Sequence, residues 1–175
     1  MDWDNSKTPL QLARASWSRD AQELVPARFR TLWVDTYRGA VYPWHCDHMG
    51  HMNVMWYVGK FDEATWTFFT LLGLTPALLR ESERGMAAVD QRIAYQRELH
   101  AGDVVIVRTG VLDIKDKAIT FVHEMRNAET DEVAAVTRLV AVHLDTVHRR
   151  STALPEAVKT RARELQVDFT LPWAA

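Results

Sequence analysis

Only one cysteine, Cys46, occurs in the 175 residues, so an intrachain disulfide is excluded. Basic residues are not in excess. With 21 Lys and Arg against 23 Asp and Glu, the formal net charge of -2 offers no global attraction for nucleic acid or an anionic membrane. No apolar run approaches the roughly 18 residues that a membrane span needs. The opening Met1-Asp2-Trp3-Asp4 lacks the charged-then-apolar pattern of a secretory signal. No internal repeat or low-complexity tract interrupts the chain. These absences lead us to expect a cytoplasmic protein with neither nucleic acid nor membrane as a partner.

What is present is apolar material: 47% of the residues are hydrophobic, enough for one sizeable core. Residues 1–33 stand apart as an arm or accessory helix, with Thr8-Pro9 as its start signal. From Leu32 to Trp44 aromatic and β-branched residues alternate imperfectly with polar ones, which predicts a first strand bulged at Gly39 and ended by Pro43. From Asn53 onward, apolar residues at Val54, Tyr57, Val58, Phe61, Ala64, Phe68 and Leu72 follow the three-and-four spacing of a helix. Trp56, Trp66 and Phe69 widen its apolar face, so a helix wrapped on most sides is expected. Asn53 is its cap and Gly73 its stop.

A shorter helix begins at Thr75-Pro76, with Gly85 expected to close it. Four strand-like runs follow, over 86–97, 104–114, 118–127 and 133–144. Their short connectors imply antiparallel neighbours, because a parallel pair needs a crossover of about a dozen residues. Leu154-Pro155-Glu156 opens a charged C-terminal helix, and 156–175 is read as helix and tail. A single long helix beside about five antiparallel strands makes an α+β fold with the sheet wrapped around the helix. Its free edges would be covered economically by a second copy, as a homodimer or a dimer-of-dimers tetramer.

Between the first strand and the long helix lies His45-Cys46-Asp47-His48-Met49-Gly50-His51-Met52-Asn53, the densest chemistry in the chain. Backbone N–H groups at a helix start, with the dipole behind them, stabilise negative charge on a carbonyl oxygen. Gly50, without a Cβ, lets an acyl group approach the main chain. Asp47 adjoins these donors and is the candidate nucleophile or general base, with an Asx-type turn as its structural alternative. Asn53 either caps the helix or orients substrate, and His51 either positions water or substrate or fills a structural role.

Glu63 is the competing acid, since Asn53, Tyr57, Lys60 and Glu63 fall at helical spacing; a solvated or ion-paired face is its alternative. His45, Cys46, Asp47, His48 and His51 are all metal-ligand types, but their spacing matches no zinc framework, so no metal and no other cofactor is expected. Like charge from Asp47 disfavours a Cys46 thiolate nucleophile.

The pattern Asp47-x-x-Gly50-His51-x-Asn53-x-x-x-Tyr57, followed by Phe61-Asp62-Glu63-Ala64, resembles the hotdog-fold acyl-CoA thioesterases of the 4-hydroxybenzoyl-CoA thioesterase type. Gly50-His51-Met52-Asn53 is most similar to the branch with betainyl-CoA thioesterases, although His48-Met49 departs from that branch's aromatic and asparagine before the glycine. Tyr95-Gln96-Arg97-Glu98-Leu99-His100-Ala101-Gly102-Asp103 also looks like a strand and turn of that family. The likeness spans about residues 34–155. It implies a hotdog fold and hydrolysis of an acyl-CoA to a carboxylate and free CoA, with Asp47 at the catalytic position. It also keeps Glu63 in view, because some hotdog thioesterases carry their acid on the central helix.

For such a substrate, Arg149 and Arg150 after the last strand are the favoured phosphate partners, ahead of Arg97, Lys115 and Lys117. Trp44, Trp56, Tyr57 and Trp66 could contact an aromatic acyl group or cage a quaternary ammonium, or simply be core. The same architecture also serves dehydratases acting on 3-hydroxyacyl or enoyl thioesters and non-catalytic acyl-binding domains, so fold alone does not choose.

Overall fold

A computed structural model describes residues 32–174; the expected helix beginning at Thr8-Pro9 lies outside that range. The elements run β1 (Val34–Ala40), a 3-10 turn (Pro43–His45), α1 (Val54–Leu71), α2 (Pro76–Glu81) and β2 (Arg84–Tyr95). They continue with β3 (Val104–Ile114), β4 (Ala118–Asn127), β5 (Val133–Asp145), β6 (Arg150–Ser151) and α3 (Glu156–Glu164). All pairings between strands are antiparallel, in the order β1-β3-β4-β5-β2, with the two-residue β6 added to β5. The sheet is therefore the expected antiparallel one of five principal strands. Its outermost members, β1 and β2, each have one neighbour among the described strands.

The register shows why the sheet bends. One bulge lies at Thr36 in β1, one at Val89 in β2 and one at Leu112 in β3, and each adds local twist. The expected bulge at Gly39 is thus displaced by three residues. Gly39 pairs regularly with Val105, and its missing Cβ has a different use, since the ring of Tyr37 lies directly over it. Gly85 likewise does not end α2; it pairs with Leu144 inside β2, and Glu83, with a φ of 55°, makes the break.

Helix α1 packs its Tyr57, Phe61, Ala64 and Phe68 face on the sheet, all four being buried. Their spacing of four, three and four keeps one stripe inward. The front half meets Val105, Val107 and Met125, while the back half meets Ile119, Phe121 and Leu139. Val158 and Ala162 of α3 join the second cluster, so the C-terminal helix shares the core. Beyond it, Val167 fills the space over Gly110 and Phe169 meets Trp33 edge-on.

Two polar contacts pin α1 where the apolar clusters meet. His123, fully buried in β4, has Nε2 2.9 Å from Thr65 Oγ1 of α1 and Nδ1 2.6 Å from Thr109 Oγ1 of β3. Thr65 Oγ1 also reaches Phe61 O, and Thr36 Oγ1 reaches both Val107 O and, at 2.8 Å, Thr109 Oγ1, so hydroxyl groups meet both ring nitrogens. The neutral imidazole donates through one nitrogen and accepts through the other. Burial pushes the His123 pKa down to about 3, in keeping with a neutral ring.

The second contact overturns a simple reading of α1. Lys60, whose neighbourhood supplied the solvated-face alternative for Glu63, is itself only 4% exposed. Its ammonium donates to Tyr37 Oη at 2.8 Å and to Ala40 O at 3.3 Å. The expected wrapping is also incomplete: Val54, Met55, Val58, Trp66 and Leu71 remain exposed along the rest of the helix.

Candidate active site

The loop before α1 is closed by backbone bonds that follow from its residue types. Asp47 N–H donates to His51 O, and Gly50 N–H returns to Asp47 O, with Gly50 at a φ of 86°. That left-handed conformation suits a residue without a Cβ. Cys46 and Met52 form an isolated bridge, and Met52 N–H donates to Leu99 O at 2.6 Å. The turn is thereby fastened to the segment that links β2 to β3.

Within this frame Asp47 is held at both oxygens. Asn53 Nδ2 donates to Oδ2 at 2.8 Å, and Met49 N–H donates to Oδ1 at 2.9 Å. The Asn53 bond, followed by the Met49 bond, holds the Asp47 carboxyl below its ordinary pKa. It is a carboxylate at neutral pH, oriented but with remaining lone pairs. Asn53 caps the helix, one of the two roles its position suggested, with its Oδ1 accepting from Met55 N–H, and its amide nitrogen in addition orients Asp47. Val54 N–H, at the first helical position, has no acceptor among the described residues. It is a backbone donor of the kind that an oxyanion uses.

A cleft opens beside this turn between the start of α1 and the end of β2, lined by His51, Val54, Tyr57, Tyr95, Arg97 and Glu98. His51 Nε2 lies 3.7 Å from Glu98 Oε1. Tyr57 donates to Arg97 O at 3.2 Å and touches Tyr95 edge-on; burial, then the nearby Glu98 charge, pushes its pKa up to about 12. Tyr95 and Glu98 were not singled out as site residues, because only the sheet order brings the end of β2 to the turn.

The other predicted residues separate. Trp56 lies tilted against His45, with ring centroids 4.3 Å apart, and shares a groove with Trp44, Lys60 and Glu63 along β1, a different groove from the cleft lined by His51 and Glu98. Burial, then the Lys60 charge, lowers the His45 pKa. Trp66 lies in a third cavity with Val58, Asp62, Phe69, Met86 and Gln91, between α1 and β2. No three His, Cys, Asp or Glu side chains among the described residues are grouped to hold a metal ion. Arg149 and Arg150 sit beyond Asp145, which pairs with Arg84 at the far end of β2 from Tyr95. Along a strand of 12 residues that separation is about 35 Å. Within one chain the arginine pair and Asp47 are not neighbours.

Residues 41–162 match the model of the thioesterase-like superfamily, and the chain belongs to that family. A Staphylococcus aureus protein solved in complex with CoA superposes with a TM-score of 0.73 at 21% identity, covering 80% of this chain and 90% of its own. A 1,4-dihydroxy-2-naphthoyl-CoA thioesterase from Synechocystis gives 0.68 at 18% identity, covering 76% and 97%. A gentisyl-coenzyme A thioesterase gives 0.65 at 23% identity, covering 72% and 98%. At these identities the likeness carries the fold. No curated protein sequence matches the chain. Among the described residues, no helix is long and apolar enough to cross a membrane.

Proposed function

We propose that the chain is an acyl-CoA thioesterase of hotdog fold, which adds water to the thioester carbon and releases a carboxylic acid and free CoA without a metal or other cofactor. The observation that carries this reading is the Asp47 carboxylate, oriented by Asn53 and Met49 N–H, with the Val54 N–H at the head of α1, which has no acceptor among the described residues. In a thioesterase-like chain those parts correspond to the two demands of thioester hydrolysis, an activated oxygen and a site for the developing oxyanion. The thioester carbonyl enters through the cleft between α1 and β2, with Gly50 offering no Cβ against it.

Asp47 takes a proton from the water that attacks the carbonyl carbon, or attacks that carbon itself to form a mixed anhydride, which water then hydrolyses to release the acid and free Asp47. Either way the C–S bond breaks as the tetrahedral intermediate collapses, and the CoA sulfur leaves as a thiol after gaining a proton. His51, with Glu98 3.7 Å away, lines the same cleft and is suited to holding that water. Tyr57 forms the buried wall, whereas Trp56 and Glu63 act elsewhere. The active form is a homodimer in the cytoplasm, joined along the free edge of β2.

Free-thiol release from short, long, aromatic and quaternary-ammonium acyl-CoAs, with wild type beside Asp47→Asn, tests the reading. Turnover by wild type that the folded variant largely loses supports both the reaction and the residue. If folded wild type releases no thiol from any of them, the hydrolase reading falls, and enoyl-thioester hydration becomes the next assay.

A further inference from the structure

Lys60 is a buried charge for which the Asp47 chemistry has no use. Its ammonium donates to Tyr37 Oη and Ala40 O, both of them neutral acceptors. Among the described residues no carboxylate lies within ion-pair distance of it. Glu63 follows one helical turn later on α1 and is exposed, yet the two are not paired. Taking an ammonium out of water has a large desolvation cost, which neutral oxygens offset only in part. The group also has three N–H donors, so one is left for a further acceptor.

The groove that Lys60 lines along β1 holds about 270 Å³ and is walled by aromatic rings. Tyr42 and Trp44 stack with centroids 4.5 Å apart and planes 4° from parallel, and Trp44 is 66% exposed. Trp56 and the His45 imidazole add to this surface. His45 is fixed in place, because Tyr42 N–H donates to its Nδ1 at 3.0 Å and its carbonyl accepts from Asn53 N–H at 2.9 Å. A backbone N–H only donates, so Nδ1 is the acceptor and the neutral ring carries its proton on Nε2. That N–H has no acceptor among the described residues.

These parts define a ligand. The Lys60 ammonium and the His45 N–H call for a carboxylate, and the exposed Glu63 carboxylate calls for a cation. A simple anion would be repelled by Glu63 and a simple cation by Lys60, whereas a zwitterion meets both. Residues three apart on a helix are neighbours, close enough for the adjacent carboxylate and ammonium of one α-amino acid to bridge them. We propose that the groove binds a free aromatic α-amino acid, with its carboxylate on Lys60 and His45, its ammonium on Glu63 and its ring against Trp44 and Trp56. This site is separate from the cleft lined by His51 and Glu98 and is independent of the reaction proposed above.

Titration calorimetry of the full chain with phenylalanine, tyrosine and tryptophan tests this. Each is run beside its amine, which lacks the carboxylate, and its propanoate, which lacks the ammonium. At least one of the amino acids should bind saturably, and roughly tenfold or more tighter than either of its fragments. Trp44→Ala and Glu63→Gln change exposed side chains and leave the core intact. Each should weaken binding of the amino acid by roughly tenfold, and Glu63→Gln should not weaken the propanoate. Lys60→Met should abolish binding; where that variant fails to fold by circular dichroism, the two surface variants decide. Saturable binding of none of the three amino acids overturns the proposal. So does a fragment that binds as tightly as its amino acid, or wild-type affinity in either surface variant.

Discussion

Asn53 donates to Asp47 Oδ2 at 2.8 Å through its amide nitrogen and caps α1 through its amide oxygen, so one side chain couples the helix start to the carboxylate. The two tasks can be separated by substitution. Asn53→Ser keeps a capping oxygen but loses the donor to Asp47; Asn53→Ala loses both, at a cost of about 1 kcal/mol in stability. In both variants Asp47 titrates closer to its ordinary value. The acid limb of a kcat/KM profile therefore moves to higher pH, while a thermal melt moves only for Ala.

Asp47→Asn keeps the size of the side chain and removes the charge. Its kcat should drop by about 10²-fold to 10⁴-fold. Circular dichroism and the gel-filtration elution volume should be unchanged, since the carboxylate lies in a partly exposed turn rather than in the core.

Gly39→Ala should destabilise the protein by about 1–3 kcal/mol. The new methyl would collide with the Tyr37 ring and push it from Lys60, leaving a buried ammonium with Ala40 O as its remaining acceptor. Urea melts measure the loss, and Gly39→Ala/Tyr37→Phe should show less than additive cost because both substitutions break one contact.

His123 gives the fold a pH dependence of known sign. Its pKa is lowered to about 3 in the fold, so below the ordinary histidine value the unfolded chain binds the extra proton first. The stability it contributes is fully present above about pH 6.5 and declines as pH falls toward 3, by about 1.4 kcal/mol per pH unit. Between pH 7 and pH 5 the wild type should lose about 2 kcal/mol from this group in urea melts. His123→Gln should be less stable at pH 7 and show a flatter dependence.

The elements were largely legible in the sequence because each has a strong local signature. Period-two runs marked β2 to β5, three-and-four spacing marked α1, and Asn53 and Thr75 cap α1 and α2 as their residue types suggest. The Asp47 turn was legible for the same reason, since its bonds close within seven residues. Three things were not. A strand pattern does not say which residue is squeezed out of register, so the bulge at Thr36 was misplaced to Gly39. A lysine at helical spacing reads as surface, and only Tyr37 and Ala40, twenty or more residues away, make burial of Lys60 tolerable. Sheet order is a long-range property. Glu98 beside His51, and the distance between Arg149 and Asp47, became visible only when β2 took its place next to β5.

The single ring proton of His123 sits where α1 joins the sheet, enclosed by Phe61 and Phe121 between the hydroxyl groups of Thr65 and Thr109. Ring protons of this kind exchange with bulk water quickly unless they are shut away, so this one can leave only when helix and sheet part company. In a nitrogen-15 NMR spectrum it should appear as an isolated imidazole signal, and its rate of fading in heavy water would report how often the whole core opens.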